Sequence, residues 1–179
     1  MKILHTRKQL FVFFMPGFLF GILYVNFIMK KYTAEPGIFS DYFLKQFQSA
    51  DLNVREYLWY LLEVRAIPFL LLVALAFTKV RKLSSAAFLV WTGFSGGMLF
   101  SLAVLSMGIK GSILCIVGML PQFLLYIPAY MVVLWYGYTY PQNRWNMQKS
   151  VFVGLAMVVG ILLEAYVNPG IMHAFLKTL

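Results

Sequence analysis

The sequence predicts an all-α membrane protein. Its expected form is a polytopic bundle of five transmembrane helices, with short amphipathic surface helices in the first loop. Three observations carry this. Hydrophobic residues make up 61% of the 179 residues and charged residues 12%, and the mean hydropathy is +0.79. A soluble domain of this length could not hide so much apolar surface. Five apolar runs approach the ~20 residues that cross a ~30 Å hydrocarbon core. The net charge of +9 fits lysines and arginines that set topology and meet anionic lipid headgroups, and nucleic acid is not an expected partner.

The first span is placed at residues 10–28, behind a basic head with Lys2, Arg7 and Lys8. The apolar run is too long for a signal peptide, and no small-x-small cleavage site follows it. Gly17 and Gly21 share a face and permit close helix approach. Asn26 either bonds to a neighbouring helix or sits among headgroups. Residues 29–56 form the longest loop. Glu35-Pro36-Gly37 reads as a turn. Phe39, Phe43 and Phe47 recur every fourth residue around a helix start at Ser40-Asp41, as in a short helix lying on the membrane. Asn53 with Glu56 marks another helix start. This loop is the candidate docking surface for another protein; the alternative is a lipid-facing spacer.

The second span covers 57–77. Glu63 and Arg65 lie in its first part, and Pro68 is expected about one turn inside the hydrocarbon. The third, 86–107, carries the small-residue stripe Gly93, Gly97 and Ser101. The fourth, 112–136, contains Gly118, Pro121, Gln122 and Pro128. Each proline removes a backbone donor, and in lipid the freed carbonyl needs a protein partner. The expectation is a central helix with its irregular face turned inward; the alternative is an ordinary kinked span. Cys115 reads as a buried apolar filler. In the fifth span, 150–167, Ala156, Gly160 and Glu164 share a face, and Asn168-Pro169-Gly170 ends the helix.

The compact basic loop Lys79, Arg81 and Lys82 places the N-terminus inside and the C-terminus outside. Asn26, Arg65 and Glu164 then fall near the outer ends of their spans. Burying a carboxylate is costly, so Glu164 is expected to pair with Arg65, or else to reach headgroup water. Gln122 is expected to bond across helices, toward backbone loosened by the prolines.

Leu120-Pro121-Gln122 followed by Ile127-Pro128-Ala129, and the ending Glu164-Ala165-Tyr166 with Pro169, resemble stage II sporulation protein M. Gly17, Gly21, Asn26 and the five-span layout fit as well, so the resemblance covers almost the whole chain. Glu63 with Arg65 departs from it. The resemblance implies a non-enzymatic scaffold in the cell membrane of endospore-forming bacteria, recruiting cell-wall hydrolases of the sporulation P and D type during engulfment. The alternative is a permease-like subunit working with an ABC-type ATPase. An intramembrane enzyme is third. H-x-x-x-H pairs are absent, His5 and His173 lie near the two termini, and the spans hold no Ser/His/Asp set. No cofactor or metal is expected; a homo-oligomer is compatible with the sequence.

In a Cys115→Ser background, Ser40→Cys should react with an impermeant thiol reagent on intact cells and Lys82→Cys should not. The reverse pattern would overturn the orientation.

Overall fold

The computed structural model describes residues 2–29, 40, 44–46 and 53–177. Phe39, Phe43 and Phe47 lie outside the described residues. Of the surface helices expected in the first loop, only a helical turn at 44–46 falls within them. Helix α1 spans Lys2–Phe27, α2 Val54–Ala76, α3 Arg81–Met107, α4 Ile109–Met119, α5 Phe123–Thr139, α6 Met147–Leu162 and α7 Asn168–Leu176, and no strand occurs among the described residues. Between α6 and α7 the helix widens into a π turn, Leu163–Val167.

Among the described residues four stretches are long and apolar enough to cross a membrane: Leu10–Phe27, Val54–Ala76, Arg81–Met107 and Met147–Leu176. The expected fourth span is not one kinked helix. It is the pair α4 and α5, bent by 68°. Pro121 has no N–H to continue α4, and Leu120, in the extended conformation, closes it. Pro128 lies within α5 but is exposed, so its irregular backbone does not face the interior as expected.

The fifth span also continues beyond its expected end. Asn168 N–H reaches back five residues to the Leu163 carbonyl. Widening the helix by one residue just before Pro169 accommodates the proline, which enters the first turn of α7, where a missing N–H costs little. Pro68 lies well within α2, on its exposed side, so its missing N–H falls in mid-helix. Cys115 is half-buried rather than buried. Asn53 caps α2 as its spacing predicts: its Oδ1 accepts from Arg55 N–H and its Nδ2 donates to Glu56.

The exterior is apolar: Phe20, Phe27, Leu70, Leu83, Ile109 and Leu124 are all exposed. One end is basic and aromatic. Arg81 lies 3.7 Å over the Tyr140 ring, and Phe77, Tyr136 and Trp145 pack together there. Lys149 Nζ donates to the Arg144 carbonyl at 2.6 Å at the same end.

Helix α1 is clasped to α3 backbone against backbone. A Cβ on Gly17 or Gly21 would come within 2.2 Å of the Val90 or Phe94 carbonyl oxygen. One on Gly93 or Gly97 would meet Phe14 O or Phe18 O at 2.3 and 2.2 Å. The two glycine pairs interlock reciprocally, as small residues allow in lipid. Beyond them Asn26 Nδ2 donates to Ser101 Oγ at 3.2 Å and to Ile22 O at 2.9 Å, although Asn26 remains exposed.

Gly97→Val should therefore cost about 1–3 kcal/mol, the range for overpacked sites, because the obstacle is backbone that cannot rotate away. Gly96→Ala, one residue away with open space around it, should be neutral or slightly stabilising. Thermal unfolding in detergent measures both, and equal losses would remove the glycine contact as the cause.

Candidate functional site

Helices α2 and α5 and the π turn that follows α6 each carry one polar side chain to a common level. Arg65 is 14 residues before Lys79, Tyr126 is 14 before Tyr140, and Glu164 is 15 beyond Lys149. At 1.5 Å per residue each lies about 21–22 Å from the basic end. Connections at that end fix the starting points, so matching counts bring the three side chains together.

Arg65 Nε donates to both oxygens of Glu164, at 3.2 and 3.0 Å, and Nη2 donates to Oε1. Tyr126 Oη donates to Oε2 at 2.8 Å. The guanidinium also sits 5.6 Å from the Tyr126 ring centroid. Glu164 is 4% exposed, while the Arg65 side chain is about a third exposed. The carboxylate thus receives donors on both oxygens and a formal countercharge, which is what a buried charge requires.

Gly160 makes the arrangement possible. A Cβ there would lie 2.5 Å from the Tyr126 ring. Its absence lets the ring press close against α6, so that the hydroxyl reaches one turn along to Glu164. Ala156, also small and buried, continues that face. The first turn of the π segment then directs Glu164 inward.

One turn along both helices is a second polar layer. Gln122 precedes Tyr126 by four residues, and Asn168 follows Glu164 by four. Gln122 Nε2 donates to the Gly118 carbonyl at 2.7 Å, and Asn168 Nδ2 donates to the same oxygen at 3.1 Å. In an unbroken helix that carbonyl would accept from the Gln122 backbone N–H. Here the side chain of Gln122 serves it, so the amide bonds within its own span and not across helices as expected. The cross-helix bond comes from Asn168.

The structure thus joins Arg65, Glu164 and, one layer away, Gln122. It leaves other sequence-predicted residues apart: Tyr166 is exposed, Pro169 is half-buried, Pro121 lies in the break and Asn26 belongs to the α1–α3 seam. Tyr126 and Asn168 were not singled out as site residues. The equal residue counts from the basic end could have indicated Tyr126. Asn168 was hidden because Asn-Pro-Gly reads locally as a helix stop. Among the described residues no three of His, Cys, Asp and Glu cluster as metal ligands. Comparison with protein-family models, curated proteins and solved structures returned no match to this chain.

Arg65→Leu should cost about 3–5 kcal/mol by stranding the buried Glu164 carboxylate, and Glu164→Leu should cost less, since the stranded Arg65 is about a third exposed. The double replacement should recover much of this, and Tyr126→Phe should cost about 1 kcal/mol. A double-mutant cycle on unfolding in detergent reads the coupling; strict additivity would mean the pair does not fix the bundle.

Proposed function

We propose that this protein is a non-enzymatic membrane scaffold that anchors cell-wall hydrolases during engulfment in endospore formation, as the resemblance to stage II sporulation protein M implies. The observation that carries the reading is how the deep ionisable side chains are used. Both oxygens of Glu164 are engaged by Arg65 and Tyr126. A general base or a proton-carrying carboxylate needs a lone pair open to its reaction partner, and this one is enclosed. Its role in this reading is to hold three helices in register for a scaffold that carries a docking surface. That surface is the first loop, with Phe39, Phe43 and Phe47 as the contact residues.

A permease-like subunit working with an ABC-type ATPase is the second reading. The α4–α5 break favours it, since transporters use discontinuous helices at their substrate and ion sites.

Co-expression with tagged P- and D-type sporulation wall hydrolases distinguishes the two. The hydrolases should co-purify with the membrane protein, and replacing Phe39, Phe43 and Phe47 by Ser should lower recovery several-fold without loss of insertion. Undiminished recovery would move the docking site elsewhere. Absence of any hydrolase association, together with stimulation of a co-expressed ATPase, would replace the scaffold by the transporter.

A further inference from the structure

Three buried side-chain atoms among the described residues have no hydrogen-bond partner: Ser85 Oγ, Gln122 Oε1 and Asn168 Oδ1. The last two belong to the amides that converge on the Gly118 carbonyl. Their orientation is set by that contact. Turning either amide over would press oxygen against oxygen, so each must present its NH2 to Gly118 and its own oxygen elsewhere. Gln122 is 1% exposed, so its acceptor is out of reach of solvent. An unpaired buried acceptor costs about 1–3 kcal/mol, and two occur at one break.

The surrounding backbone has the same imbalance. Pro121 brings no N–H to the Val117 carbonyl. Leu124 N–H bonds to the Pro121 carbonyl and so does not serve Leu120 in the helical manner. The break is thus rich in neutral oxygens, and each side-chain NH2 has one of its two hydrogens engaged at Gly118. Glu164, four residues before Asn168, is occupied by Arg65 and Tyr126 and adds no free carboxylate. An occupant of such a place must bring positive charge or donor hydrogens. Freed carbonyls at broken membrane helices are suited to small cations for this reason.

We propose that the α4–α5 break binds a small monovalent cation, either a metal ion or an ammonium group. The ligands are Gln122 Oε1 and Asn168 Oδ1, supplemented by backbone carbonyls at the end of α4. The site lies one helical turn from the Arg65–Glu164–Tyr126 network and is independent of the scaffold reading. Its occupancy would join α4 to α7 through neutral oxygens on both.

The test is thermal unfolding of the full chain in detergent, titrated with lithium, sodium, potassium or ammonium chloride. Choline chloride holds the ionic strength constant. At least one small cation should raise Tm in a saturable manner, and the metal and ammonium arms identify which source is bound. Gln122→Leu and Asn168→Leu should abolish the response. Should these not fold, Asn168→Asp keeps an oxygen ligand and adds charge, though it gives up the bond to Gly118; the cation then also relieves the repulsion between the carboxylate and that carbonyl, and the half-saturating concentration should fall about tenfold, since ligand charge tunes cation affinity. No response beyond that of choline would mean the orphan oxygens are served by water alone and would overturn the proposal. So would a saturable response left unchanged in Asn168→Leu or, where that variant does not fold, in Asn168→Asp.

Discussion

The carboxylate of Glu164 constrains the structure more than any other group. An ionised side chain in an apolar bundle must be enclosed by donors and a countercharge. Meeting that condition requires α2, α5 and α6 to present Arg65, Tyr126 and Glu164 at one level and on facing sides. A shift of one residue in any of the three helices would rotate a side chain by about 100° and break the set. Such a pair adds little net stability over an apolar replacement of the same shape. Its effect here is on register: a misaligned packing would leave a charge stranded.

The α1–α3 seam follows different physics. Its central contacts are backbone against backbone. Four glycines remove the side chains that would keep the backbones apart, and each backbone then packs on the other's carbonyl. In lipid, association gains little from hiding apolar surface, since the tails are apolar too. Close approach and the dispersion contacts it permits take over. The Asn26–Ser101 bond adds direction near one end of this seam. The bundle therefore combines an ion-locked group of helices with a glycine-packed one, and α3 takes part in both through Ser85, which lies against Gly137 of α5.

Backbone irregularities cluster beside the ion network. The 68° break and the π turn lie on neighbouring elements, and α4 packs against α7. Both arise at prolines, Pro121 and Pro169, and both leave backbone groups without their usual helical partners. Gln122 and Asn168 make up the deficit at Gly118. The same amides that heal the break expose oxygens of their own, so the repair creates an acceptor-rich spot inside the bundle.

Composition and periodicity by themselves determined the class of this protein. Apolar runs of fixed length and a basic loop between them are local properties, and the lipid requirement that each segment satisfy its own backbone makes helices the outcome. The glycine stripes were legible for the same reason: Gly17 with Gly21, and Gly93 with Gly97, show a smooth face on any helix. The contact of Arg65 with Glu164 followed from burial cost and similar depth. What only the tertiary structure decided was how chain-breaking residues are accommodated. Leu120-Pro121-Gln122 reads equally as a kink or a break, and Asn168-Pro169-Gly170 reads as an end. Whether a helix bends by 68° or widens and continues depends on which donors lie across the bundle. Asn168 and Gly118 are 50 residues apart, so no local pattern held that information.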